Sequence, residues 1–299
     1  MLKRILLLLL CLPLLSSAQN GKTLLHADHK IHYKTYGAGF PLLIINGGPG
    51  MNSNGFESLA KELSKNKLTI LFDQRGTGKS SLAEVNSSTI TMDLMVADIE
   101  EIRKDLGIEK WAILGHSFGG MLAAYYAAQH PETITGLILS SSGGIDMQLF
   151  SRINITSRLT TKQRDSLNYW NQQIANGDSS YHARLRRGKY LAPAYLYDNK
   201  HIPIIAERLT QGNMQINGLV FQDLRRIDFD VKQDLKKIKG PVLIIQGKED
   251  IIDERTALET KEALPQAKIV ILEYSGHYGW LDQEEKYYAE LFQFLASLE

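Results

Sequence analysis

Gly115-His116-Ser117-Phe118-Gly119-Gly120 is the stretch of this chain whose residue types and spacing could do chemistry most directly. The apolar run Trp111–Leu114 precedes it and the helix-like Met121–Gln129 follows. A serine at so tight a strand-to-helix turn must take a strained backbone conformation, with its hydroxyl presented at the apex. Side chains two positions to either side would collide, which is the steric reason for Gly115 and Gly119. The helix N-terminus adds free N–H groups and a partial positive charge. Ser117 is therefore the candidate nucleophile, and the first N–H that could receive an oxyanion is that of Phe118.

A hydroxyl needs a base, and the base needs a third group to orient it. In the strand–elbow–helix setting the chain order is serine, acid, histidine. The later histidines are His130, His182, His201 and His277. His130 lies too close in sequence to loop back, and His182 and His201 fall in a polar stretch where solvated or packing roles suffice. His277, in Ser275-Gly276-His277 after the last apolar run, is the candidate general base and acid. The acid is sought after Val242–Ile245, where Glu249, Asp250 and Asp253 compete. Asp250 stands three residues past Gly247 and is favoured. Asp253 reads as the N-cap of a helix from Glu254, and Glu249 as solvated. A second oxyanion donor is expected in Asn46-Gly47-Gly48-Pro49-Gly50, where glycines let backbone approach a substrate.

Asp73-Gln74-Arg75-Gly76-Thr77-Gly78-Lys79-Ser80 ends like a phosphate loop. The first glycine of that motif is missing, because its position holds Asp73. Asp73 and Arg75 are expected to brace a loop behind the site. With no metal-ligand cluster such as His-Glu-x-x-His, no cofactor or metal is expected.

These residues must be held by a frame, and the pattern supplies one. Ile31–Tyr36 alternates, while Leu42–Ile45, Leu68–Phe72, Trp111–Leu114, Leu137–Leu139, Val242–Ile245 and Ile269–Leu272 are short, nearly continuous apolar runs. Such runs suit interior strands of a parallel sheet covered on both faces. Helix-like segments near residues 53–64, 92–105, 118–129, 254–264 and 284–298 alternate with them, which predicts an α/β fold with a mostly parallel, doubly wound sheet. The alternation stops in a polar, aromatic-rich stretch, so residues 144–239 are expected to form an inserted helical cap between core segments 19–143 and 240–299.

The chain has 299 residues, 43% apolar and 22% charged, enough for a sizeable core. Positive and negative residues nearly cancel, 34 against 33, and no basic stripe is interleaved with aromatics, which disfavours a nucleic-acid partner. Lys3-Arg4, the apolar run Ile5–Leu15 and Ser16-Ser17-Ala18 read as a signal peptide cleaved before Gln19. The run is too short to span a bilayer, so no stable membrane insertion is expected after cleavage. The only cysteine, Cys11, follows Leu10, a poor context for lipidation. A periplasmic or secreted protein without disulfides is expected.

Asn46–Gly50, Asp73–Ser80, Gly115–Gly120, Asp250 and His277 together resemble the prolyl aminopeptidase (proline iminopeptidase) family of α/β-hydrolases, in order and approximate spacing. The resemblance implies the α/β-hydrolase fold, a Ser117–Asp250–His277 triad with an acyl-enzyme, Gly48 as the second oxyanion donor, and release of N-terminal residues from short peptides. Two departures stand out. The family's first loop opens on His, where this chain has Asn46. Family peptidases hold the substrate's free amine with carboxylates, where this chain has Met214 and Ile251; Glu207 or Asp223 could substitute. Hydrolysis of an N-terminal residue, preferably Pro, is the leading expectation; a carboxylic-ester hydrolase with the same triad is the alternative, and a non-catalytic binding protein on a hydrolase fold the remote one. The expected partner is a small molecule or short peptide.

Overall fold

The computed structural model describes residues 20–150 and 152–299, so the leader read in residues 1–18 lies outside the described residues. Among the described residues, nine strands form one sheet: β1 (Asn20–Leu25), β2 (His29–Tyr36), β3 (Pro41–Ile45), β4 (Leu68–Phe72), β5 (Ser81–Leu82), β6 (Trp111–His116), β7 (Ile134–Ser140), β8 (Val242–Gly247) and β9 (Lys268–Leu272). The spatial order is β1-β2-β4-β3-β6-β7-β8-β9, with β5 paired to β2. β2 pairs antiparallel with β1, β4 and β5. From β4 to β9 every pairing is parallel.

The helices are α1 (Glu57–Leu63), α2 (Met92–Asp105), α3 (Phe118–Gln129), α4 (Met147–Phe150), α5 (Thr161–Ala175), α6 (Tyr181–Leu191), α7 (Ile202–Leu209), α8 (Met214–Arg226), α9 (Glu254–Ala263), α10 (Gly279–Asp282) and α11 (Glu284–Ala296). Strand alternation splits the core into two layers. Leu43, Ile45, Ile113, Leu137, Leu139, Val242 and Ile244 face the layer that also takes α2, α3 and α8. Leu42, Ile44, Leu114, Ile138, Leu243 and Ile245 face the layer completed by α1 and α11. Burial on both faces explains why β3, β6 and β8 read as unbroken apolar runs.

Local signals set several boundaries. Thr91 caps α2 by accepting the Leu94 N–H, and Arg103 and Lys104 sit in its last turn. Thr160 and Gln163 form a reciprocal capping box at α5. Between β7 and β8 the chain carries α4 to α8, and among the described residues of this segment the one β pairing is an isolated bridge between Asp146 and Asp230. α8 is tied back to the core where Asp223 accepts the Met92 N–H at 2.8 Å, at the start of α2. The antiparallel edge strand β1 escaped the reading of the sequence, because Asn20-Gly21-Lys22-Thr23 has no apolar alternation to reveal it.

Candidate active site

Ser117 sits between β6 and α3 with φ 57° and ψ −122°, a backbone state that costs an L-residue about 1–3 kcal/mol. Backbone bonds hold it there: its N–H donates to Ser140 O, and its carbonyl accepts from Gly120 N–H and Gly143 N–H. A Cβ on Gly115 would overlap the Gly119 carbonyl, and one on Gly119 would overlap the Ile45 carbonyl. Both glycines are thus imposed by contact across the turn, as the spacing required.

On the other side of the site, His277 Nδ1 lies 2.8 Å from Asp250 Oδ1. Both side chains are buried. Asp250 also accepts the Ile252 N–H at 3.1 Å and Gln246 Nε2 at 3.0 Å, so its carboxylate is held from three directions. A carboxylate at Nδ1 requires the proton there, which leaves the Nε2 lone pair outward. The His277 N–H donates to Tyr195 O at 2.7 Å, tying the histidine loop to the segment between α6 and α7. Asp253 caps α9 through the Arg255 N–H. Glu249 does not stand idle in solvent as expected. Its carboxylate accepts the Ser275 N–H at 2.9 Å, and its own N–H donates to Ser275 O, so it links the acid loop to the histidine loop.

The His116 ring lies tilted against that of His277, with centroids 4.5 Å apart, and is buried with Phe56, Tyr278 and Trp280 around it. Burial holds its pKa well below the ordinary imidazole value, and His277 and Arg208 push the same way. His116 therefore stays neutral and places no fixed charge beside His277.

The loop after β3 is gripped from several sides. Gly48 has φ +71°, a conformation that favours glycine. The Gly47 carbonyl accepts Arg208 Nη2 at 2.8 Å and Asn46 Nδ2 at 3.0 Å. Gln74 Nε2 donates to Asn46 O at 2.7 Å. Behind it, Asp73 accepts the Ser53 N–H and hydroxyl and the Lys79 N–H, and Arg75 pairs with buried Asp98. The octet that mimics a phosphate loop is thus consumed in bracing its neighbours.

Ser117, Phe118, Gly48 and His277 all line one cavity of about 580 Å3. Its remaining wall comes from α5 to α8 and nearby loops, with Ile153, Ile155, Ile174, Leu191, Leu209 and Phe221 among its apolar members. Met214 and Ile251 line it, at the positions where the resemblance led one to look for carboxylates. Glu207 instead accepts the Tyr181 hydroxyl on an exposed surface, and Asp223 is spent on Met92 and Arg226. Neither is among the lining residues.

Arg208 was not foreseen. It is 3% exposed, sits 4.7 Å from the Phe56 ring, and donates through Nε to the Tyr278 hydroxyl at 3.2 Å. The available signal was a cation on the buried face of α7, beside Ile205 and Leu209.

The comparisons agree with this architecture. A family profile described as alpha/beta hydrolase fold matches residues 41–284. A proline iminopeptidase of Lactobacillus delbrueckii subsp. bulgaricus is 31% identical over 287 residues, covering 86% of this chain and 90% of its own. One from Lactobacillus helveticus is 27% identical over 275 residues, covering 85% and 89%. Among solved structures, an alpha/beta fold family hydrolase from Bacillus anthracis str. Sterne superposes with a TM-score of 0.74 at 23% identity, covering 94% of this chain and 99% of that one. An esterase from Exiguobacterium antarcticum reaches 0.69 at 21%, covering 90% and 96%. Matches over most of the chain, with one relative at 31% identity, together with the strand–elbow–helix and the parallel sheet, make the chain a member of the proline iminopeptidase-like family of α/β-hydrolases.

Proposed function

We propose that this hydrolase cleaves a carboxylic ester or amide through an acyl-enzyme on Ser117, with His277 as base and acid and Asp250 orienting it. The observation that carries the reading is that strained Ser117 and an Asp250-paired His277 border the same cavity. His277 Nε2 takes the Ser117 proton as Oγ adds to the substrate carbonyl carbon. Asp250 holds the ring and favours the imidazolium that forms. The carbonyl electrons move to oxygen, and the N–H groups of Phe118 and Gly48 receive the oxyanion. Collapse expels the alcohol or amine with the proton returned by His277, and water then repeats the sequence on the acyl-enzyme.

Arg208 acts in this scheme through a peptide plane. The carbonyl and N–H of a trans peptide point in opposite directions. Arg208 and Asn46 grip Gly47 O on one side. That grip turns the Gly48 N–H the other way and, with a cation at the carbonyl, strengthens it as a donor.

A second reading, release of an N-terminal residue from a short peptide, draws support from the proline iminopeptidase relatives. Against it stands a lining in which no Asp or Glu occurs among the described residues. A fluorophosphonate probe tests the catalytic reading: it should label Ser117 and leave Ser117→Ala unlabelled, and a folded wild type that resists labelling would refute it. A proline arylamide run beside its N-acetylated form and a p-nitrophenyl ester separates the readings, because a requirement for the free α-amine is expected only of the peptidase.

We also infer export to the periplasm or medium, supported by Lys3-Arg4, the apolar run and Ser16-Ser17-Ala18. Intact mass of the protein recovered from cells should give a chain beginning at Gln19. A full-length chain in the cytosol would refute it.

A further inference from the structure

The ionisable groups around the catalytic cavity are uneven in sign. Arg184, Arg187 and Arg208 line it together with His116 and His277, and no Asp or Glu does so among the described residues. Elsewhere this chain pairs many of its cations: Arg152 with Glu259, Arg226 with Asp223, Arg255 with Asp253 and Lys232 with Asp146. No ion pair is recorded for the three cavity arginines among the described residues.

Two of the three belong to one wall. Arg184 and Arg187 stand three residues apart on α6, so they share a helix face. Arg187 donates Nε to Asn171 Oδ1 at 2.7 Å, and Asn171 lies on α5 and also lines the cavity. That bond fixes the guanidinium plane and leaves both terminal nitrogens of the fork for another acceptor. Arg184 is committed through Nη1 to Ser179 O at 2.9 Å and is more exposed. Ile174, Ala175 and Leu191 adjoin the pair in the lining. The apolar neighbours thin the solvent around Arg187, and this desolvation lowers its pKa from the ordinary guanidinium value. A cation desolvated without a carboxylate is an unfavourable arrangement unless a ligand completes it.

We propose that the α5–α6 wall is a subsite for an anionic group, such as a carboxylate, carried by the substrate, with Arg187 as its main contact and Arg184 reinforcing it. The proposal rests on the serine-hydrolase reading and names its substrate class. An amphipathic ester or amide fits the whole lining: an apolar middle against Ile153, Ile155 and Leu209, and a planar anion against the Arg187 fork. The same charge pattern rejects an ammonium, because it would meet three guanidiniums and no counter-ion. This is the reverse of the recognition that an amine-binding peptidase needs.

The test uses purified mature protein and two matched ester pairs. One pair places the anion on the acyl chain: mono-p-nitrophenyl adipate against p-nitrophenyl hexanoate. The other places it on the leaving group: the hexanoyl ester of p-hydroxybenzoate against that of its methyl ester. In at least one pair the anionic member should have the higher kcat/KM by roughly tenfold or more, the scale of one charge-assisted contact. Arg187→Gln, and more fully Arg187→Gln with Arg184→Gln, should bring that ratio towards unity, and Arg187→Lys should keep part of it. The ratio is internal, so partial loss of folded protein cancels. Where an ester is not turned over, the same order is read from how strongly it slows fluorophosphonate labelling of Ser117. Labelled enzyme with no anionic preference in either pair, or a preference unchanged in the double variant, overturns the subsite. Protein that resists labelling and turns over no ester instead refutes the serine-hydrolase reading beneath it.

Discussion

Arg208→Met is the substitution that tests the proposed oxyanion loop most directly. It keeps an unbranched side chain against Phe56 and Tyr278 while removing the donor to Gly47 O. The lost interaction is a charge-assisted hydrogen bond at 2.8 Å, worth about 1.5–3 kcal/mol. Asn46 Nδ2 still holds the same carbonyl at 3.0 Å, so the Gly47–Gly48 peptide is loosened rather than freed. Complete loss of one oxyanion donor costs about 2.7–4 kcal/mol, which sets the ceiling. Loosening within that ceiling predicts a fall in kcat of roughly ten- to hundred-fold, at about 1.4 kcal/mol per factor of ten. The loss should lie in kcat and leave KM little changed, because the oxyanion exists only in the transition state. Burst-phase acylation with a p-nitrophenyl ester reads the step itself. Affinity for a trifluoromethyl ketone, which forms the same tetrahedral oxyanion, should weaken in proportion, and Arg208→Lys should recover part of both. A fall confined to KM, or ketone affinity unchanged while kcat drops, would refute the peptide-plane argument.

Asp250→Asn should lower kcat by several orders of magnitude while thermal unfolding stays near wild type, since the amide can keep the Ile252 N–H bond but favours the wrong His277 tautomer. An activity within about tenfold of wild type would remove Asp250 from the triad. Gly119→Ala should fail to accumulate as folded protein, because its methyl would overlap the Ile45 carbonyl; soluble, cooperatively unfolding variant would contradict that packing. Glu100 predicts an acid-dependent stability. Hydrogen bonds from Arg103, and then from Tyr126, lower its pKa from 4.5 to about 2 against the opposing effect of burial. A depressed carboxyl stabilises the fold above its unfolded value and loses that contribution as pH falls from 4.5 towards 2. The melting difference between wild type and Glu100→Gln should therefore be present at neutral pH and shrink through that window.

Much of the frame was legible because it is written in local periodicity. Leu68–Phe72, Met92–Asp105 and Phe118–Gln129 have the same bounds in the structure as in the pattern. Burial on both faces makes a parallel strand apolar at every position, and that shows in sequence without any tertiary knowledge. The elbow was legible for a different reason: steric demand across one turn fixes Gly115 and Gly119 relative to Ser117. β1 was not legible, since an edge strand needs no apolar alternation. The engagement of Glu249 with Ser275 was not either, because it depends on two loops 26 residues apart meeting at the sheet edge.

What the sequence by itself determined was the candidate set: a serine at a strained turn, a late histidine and a carboxylate after the preceding strand, each specified by short-range pattern. What only the tertiary structure decided was the setting of that set. Asp250 and His277 come from loops after different strands and meet because β8 and β9 are neighbours in the sheet. Arg208 reaches Gly47 from 161 residues away. Arg187 enters the same cavity from α6, where nothing in its neighbours along the chain distinguishes it from a solvated cation. The elbow is encoded in nearby residues because a turn's sterics are local, whereas the sign of a cavity's charge is a sum over distant segments that only folding brings together.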